Sequence, residues 1–219
     1  MILCAVTDRR RLGTFTSIGA ALDALLAQAR AAADAGLDIF QIREPDLPDL
    51  ALLDLAARAR DAIAGSTLRL LINDRLDIAI AAGLDGAHLR GASYPARRAR
   101  VMAPADRPFL IGRSVHGVEE ASAADAAGGL DYLIVGTIFA TTSKPADQGL
   151  AGVQTLGEAV RACRLPILAI GGISLENAAL VAHTGAAGLA AIGLFQEVGR
   201  IAENAAKLRR IFATTRPPA

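Results

Sequence analysis

Apolar residues gather in eight short runs along the chain. The runs are ILCAVT (from Ile2), DIFQIR (from Asp38), LRLLIN (from Leu68), GAHL (from Gly86), FLIG (from Phe109), YLIVG (from Tyr132), ILAIGG (from Ile167) and GLAAIG (from Gly188). Each has the length of a β-strand, and each is followed by an Ala- and Leu-rich stretch with apolar residues at helical spacing. IGAALDALLAQARAAADAG (from Ile18) and LALLDLAARARDAIAG (from Leu50) are the clearest, both closed by a glycine where a helix stops. Further helices are predicted from Leu76, Pro95, Val118, Val153, Ser174 and Gln196. Strands alternating with helices specify a parallel sheet, and eight such pairs fit a closed (β/α)8 TIM barrel better than an open doubly wound sheet. The strands are apolar almost throughout, as expected when both faces are covered. Gly-(Ala or Leu)-Asp or Gly-Ala-Ala recurs before strands, at Gly36, Gly83 and Gly185, which needs no more than a shared way of ending helices.

The 219 residues suit a single barrel domain spanning 1–219, with a frayed tail from about Ala213. At 53% hydrophobic residues the chain can build a large core. Its 23 Lys and Arg nearly balance 22 Asp and Glu, so the net charge of +1 gives no electrostatic reason to expect nucleic acid or an anionic membrane as partner. Small-molecule chemistry is the better expectation. Cys4 and Cys163 lie far apart in apolar segments, which reads as free thiols in a reducing compartment. The N-terminus MILCAVTDRRR lacks the order of a signal peptide, and the expectation is a cytoplasmic protein.

Barrels of this type place their chemistry at the C-terminal ends of the strands. Glycines after the last two strands, Gly171 and Gly172 in AIGGIS and Ala191, Ile192 and Gly193 in AAIG, suit close backbone approach to a phosphate; the plainer alternative is a turn capped by Ser174. In QIRE, Gln41 and Arg43 share one face and could grip a polar ring or phosphate, or an Arg–Glu pair could simply close the loop. In INDR, Asn73 or Asp74 could cap the next helix, and Asp74 could equally ligate Mg2+. TTSK offers Thr141, Ser143 and Lys144 for phosphate capture in a loop long enough to act as a lid. His116, in IGRSVHG, is the candidate acid or base, with Ser114 beside it. His88 could face the barrel mouth or the core, and His183 reads as a capping or surface residue.

Taken together, QIRE, INDR with DIA and GLDGAHL, the run IGRSVH through GTIFAT and SK, and LAIGGIS resemble the thiamin phosphate synthase and thiazole tautomerase family, in order from Ile39 to Phe195. The resemblance implies a (β/α)8 barrel, often assembled as a homo-oligomer, acting on small phosphate esters. Its synthase branch joins hydroxymethylpyrimidine diphosphate to a thiazole phosphate using Mg2+. This implies pyrimidine and diphosphate contacts at Gln41, Arg43 and Asn73, a Mg2+ ligand at Asp74, and phosphate contacts at Ser114, Thr141, Ser143, Lys144 and Gly172. Two positions depart from that branch: Pro45 stands where a lysine is expected, and Ser93 where a second Mg2+ carboxylate is expected. The tautomerase branch needs no metal and carries its catalytic histidine in an SVH segment like that of His116.

The sequence therefore favours a thiazole tautomerase-like isomerase without a cofactor. His116 and Ser114 would be catalytic, and Gly171, Gly172, Ala191, Ile192 and Gly193 would hold the phosphate. A Mg2+-dependent thiamin phosphate synthase is the alternative, and a non-catalytic binder of thiazole or thiamin phosphate a further one.

Overall fold

Alternation along each strand decides which residues build the barrel's interior and which meet the helices. The computed structural model describes residues 1–141 and 149–215. The strands are β1 (Ile2–Val6), β2 (Ile39–Ile42), β3 (Arg69–Asn73), β4 (Gly86–Leu89), β5 (Leu110–Val115), β6 (Tyr132–Gly136), β7 (Ile167–Ile170) and β8 (Gly188–Ala191). All are parallel and close in sequence order, β8 returning to β1. The helices are α1 (Ile18–Asp34), α2 (Asp49–Ala62), α3 (Leu76–Ala81), α4 (Ala96–Met102), α5 (Val118–Ala127), α6 (Gly152–Ala162), α7 (Ala178–His183) and α8 (Ile201–Thr215). This is a single-domain TIM barrel, as the sequence pattern predicts.

One set of alternate residues, including Cys4, Val6, Ile39, Leu71, Tyr132, Ile134, Leu168 and Ala190, packs together inside the barrel. The intervening set, such as Leu3, Phe40, Leu70, Ile111, Leu133 and Leu189, joins the much larger layer beneath the helices. Gly112 makes the interior fit: a side chain there would collide with the Tyr132 ring directly across the β5–β6 pair. Cys4 is buried and Cys163 half-buried, and both are free thiols.

The recurring Gly-Leu-Asp does more than stop helices. Asp38, Asp85 and Asp131 each stand just before an even-numbered strand and accept a hydrogen bond from a backbone N–H of the preceding odd-numbered one: Leu3 at 2.8 Å, Leu70 at 2.8 Å and Ile111 at 2.6 Å. Three pairs of strands are thus pinned at the barrel's N-terminal face, the end associated with stability rather than chemistry.

Three expected boundaries move. β5 continues through Val115, so Ser114 belongs to the strand rather than to the loop after it. α7 begins at Ala178, and Asn177, not Ser174, occupies its N-cap position; the Asn177 side chain accepts from the Ser174 N–H (2.8 Å) and donates to the Gly172 carbonyl (2.9 Å). The last helix starts at Ile201, after two 3-10 turns, and stays helical to Thr215, beyond the fraying expected near Ala213. Among the described residues no helix is long and apolar enough to cross a membrane.

Candidate active site

The inward alternation that fills the barrel with apolar side chains turns polar at the C-terminal ends of β2 to β5. There Gln41, Asn73, His88 and Ser114 are the inward residues, and with Val6, Ile134 and Ile170 they floor a cavity of about 410 Å3. Gln41 is buried; its Nε2 donates to Asn73 Oδ1 at 3.1 Å, while its Oε1 is buried with no partner among the described residues. A buried acceptor left unpaired is costly, and in a cavity wall it is a place for a ligand N–H.

His88 and Ser114 form the second polar group. His88 Nε2 lies 2.8 Å from Ser114 Oγ, and its Nδ1 lies 3.1 Å from the Tyr132 hydroxyl. Burial pushes the His88 imidazole down to about 3, an effect that the charge of Asp74 opposes and that of Arg113 reinforces. Burial likewise raises the Tyr132 phenol well above its ordinary range. Both are therefore neutral at pH 7, and the neutral imidazole has one N–H and one acceptor to share between the two hydroxyls. The chain Tyr132–His88–Ser114 orients the serine hydroxyl at the cavity wall.

His116 goes elsewhere. It follows the end of β5, where the chain bends into α5, and lines a separate groove of about 630 Å3 with Pro95, Arg97, Glu120 and Leu130. Its backbone N–H donates to the Glu120 carboxylate at 2.9 Å, and its ring Nδ1 lies 3.3 Å from the same oxygen. More than half of its side chain is exposed. Ser114 touches both the cavity and this groove, whereas His116 lines only the groove; the strand ends at Val115 and His116 lies beyond it. His183 is exposed, its ring set 2.9 Å from the Ala179 carbonyl one turn earlier.

Arginines edge the β1–β2 side. Arg43 lines the cavity, its backbone N–H held by the buried Thr7 hydroxyl at 2.9 Å. Its neighbour Glu44 pairs with Arg9 rather than with Arg43. Arg11, from the loop after β1, lines the same cavity.

Asp74 is the one residue outside glycine, among those described, with positive φ (63°), a conformation that Asp tolerates better than most residues. It does not cap α3; Arg75 holds that position. Its carboxylate is taken up on both oxygens, by Ser93 Oγ and the Arg90 N–H on one and by Arg90 Nε at 2.5 Å on the other. Burial raises this carboxyl, but the hydrogen bonds from Ser93 and Arg90 outweigh burial and hold it below the ordinary range. Mg2+ is usually held by one or two carboxylates together with substrate phosphates. Here the single carboxylate is already neutralised by a guanidinium, the second position is the neutral Ser93, and no cluster of three His, Cys, Asp or Glu forms among the described residues. The donor set does not fit a protein-held Mg2+.

On the far wall Gly171, Gly172, Ala191, Ile192 and Gly193 all line the cavity, with Thr141 at its edge. Gly172 (φ 62°) is also required by packing, since a Cβ there would meet the carbonyl oxygens of Phe139 and Ala140. Ser143 and Lys144 lie outside the described residues.

The sequence pattern left the direction of His88 open and passed over Tyr132 and Arg11. Period two along GAHL, counted from the small inward Gly86, would have put His88 inside. No local signal marks Arg11.

The thiamine monophosphate synthase family pattern matches residues 4–195. A thiamine-phosphate synthase of Methanoculleus marisnigri is 41% identical over 181 residues, covering 83% of this chain and 84% of that protein. One of Anaeromyxobacter dehalogenans is 41% identical over 184 residues, covering 84% and 81%. Among solved structures, a thiamine phosphate pyrophosphorylase from Pyrococcus furiosus superposes with a TM-score of 0.80 at 28% identity, covering 98% of this chain and 96% of that one.

Proposed function

This chain belongs to the thiamine monophosphate synthase family of thiamin-biosynthesis enzymes, and on that premise we propose that it is a thiamin phosphate synthase. It joins a hydroxymethylpyrimidine diphosphate to a thiazole phosphate: a C–N bond forms, the C–O bond to the diphosphate breaks, and pyrophosphate leaves. The observation that carries this reading is the buried Gln41 Oε1 in the cavity wall, unpartnered among the described residues. An aminopyrimidine supplies the N–H that this acceptor lacks, and the Gln41–Asn73 amide pair fixes which way Gln41 presents it.

The rest of the wall suits the two phosphate groups. Arg43 stands beside the amide pair, where negative charge grows on the departing pyrophosphate, and a fixed cation there stabilises the transition state more than the ground state. The glycines of the β7 and β8 loops admit a phosphate close to backbone N–H groups. Ser114, its hydroxyl oriented by neutral His88, binds at the wall between them, and the condensation asks no proton transfer of it.

The isomerase reading expected from the sequence rests on His116, which lines a different groove. Its remaining support is the loss of cation and carboxylate at Pro45 and Ser93 and the engagement of Asp74 by Arg90. The two readings separate in one assay. The protein is incubated with the pyrimidine diphosphate and thiazole phosphate, with Mg2+ and with EDTA, and separately with the carboxythiazole phosphate tautomer. Sustained release of thiamin phosphate and pyrophosphate is expected. Isomerisation without condensation would replace this reading with the tautomerase, and tight binding with neither reaction would replace it with a non-catalytic binder.

A further inference from the structure

We propose that Arg11 is a phosphate-binding residue of the cavity, supplying from the first βα loop the positive charge that the second loop lacks at Pro45. The inference rests on a phosphate-ester substrate in this cavity and deepens the synthase reading.

The argument begins with the residues on either side of Pro45. Glu44 is buried, and Arg9 satisfies it twice, through its backbone N–H (3.0 Å) and its guanidinium (2.7 Å). Asp46 is held by the same guanidinium at 2.6 Å and by Arg10 at 2.8 Å. Arg9 is largely buried in this network, so the pairing is expensive to open once formed. Together these bonds latch the β2 loop onto the 3-10 turn Arg9–Arg11, which the Asp8 carbonyl closes by accepting from the Arg11 N–H at 3.0 Å.

The latch fixes the position of the third arginine. Arg9 and Arg10 face the carboxylates, and Arg11 lines the cavity together with Arg43 and Gly193. Closure of the barrel explains the company it keeps: β1 pairs with β2 on one side and β8 on the other. Its loop therefore stands between the Arg43 loop and the glycine loop after β8. A guanidinium there can reach an anion bound at either edge, and arginine donates to phosphate through paired N–H groups. Pro45 has no charge and Glu44 and Asp46 are occupied, so a second cation beside Arg43 at this edge comes from across the loop.

The test measures inorganic pyrophosphate binding by calorimetry in EDTA, alongside steady-state kinetics for the pyrimidine diphosphate. Arg11 is exposed, so its variants are expected to fold and melt like the parent. Arg11→Gln is expected to weaken pyrophosphate about tenfold or more and to raise KM with a smaller change in kcat. Arg11→Lys keeps part of the affinity, and adding Pro45→Lys to Arg11→Gln restores part of it. If Arg11→Gln binds pyrophosphate as tightly as the parent, the proposal falls. If the parent makes no thiamin phosphate while Arg11→Gln still loses pyrophosphate affinity, the proposal stands and the synthase reading falls.

Discussion

His88 and His116 lie at the ends of neighbouring strands and have opposite fates. His88 is the inward residue of β4, sealed from water and bonded through both ring nitrogens to Ser114 and Tyr132. His116 lies one residue past β5, more than half exposed and tethered to Glu120 at the start of α5. The first is locked neutral and can only orient its partners. The second meets solvent and lines the outer groove. A histidine's chemical reputation thus says less than its position relative to a strand end, because one residue of chain changes the face and the solvent.

The largest test of this contrast is acid. The folded-state value of His88, about 3, lies below its ordinary 6.5, so the unfolded chain binds the extra proton between those limits. Its contribution to stability is complete above pH 6.5 and is lost as pH falls toward 3, on the order of 1.4 kcal/mol per pH unit. Chemical denaturation at a series of pH values measures the slope; no difference in slope between the parent and a His88→Leu variant would remove His88 as its source. Next in size, His88→Leu at pH 7 leaves the Ser114 and Tyr132 hydroxyls without their partner and is expected to cost about 2–3 kcal/mol. Condensation should slow at least tenfold as Ser114 loses its orientation.

Tyr132→Phe is gentler. The ring still fills the space opposite Gly112, and only the hydroxyl bond to His88 is lost, for about 1 kcal/mol. A cost above 3 kcal/mol would mean that the ring itself had been displaced. Smallest of all, His116→Gln is expected to leave stability within about 0.5 kcal/mol, the range for exposed positions, and condensation within about twofold. A collapse of turnover in this variant would return His116 to the chemistry and reverse the comparison.

The same contrast explains what could be read before folding. Strand positions were legible because eight apolar runs separated by helical spacing leave few alternatives, and Gln41, Arg43, Asn73 and Ser114 follow from the rule that barrel sites gather at strand ends. All four line the cavity. The end of β5 was not legible, since Arg113 and Ser114 look like loop residues although the strand runs on to Val115. Asp74 shows the same limit. As a lone carboxylate after a strand it invites a metal, and only the β4 loop brings Arg90 and Ser93 onto it.

By itself, then, the sequence determined the barrel and the family, because apolar runs, helical spacing and short motifs are local and recur along the chain. It could not determine which side chains meet across the mouth. Those meetings depend on ring closure, which sets β1 beside β8 as well as β2 and so carries Arg11 to the cavity. They depend also on where each strand stops, which is settled by pairing with the neighbouring strand. Both are nonlocal contacts between segments far apart in the chain, and no local pattern encodes them.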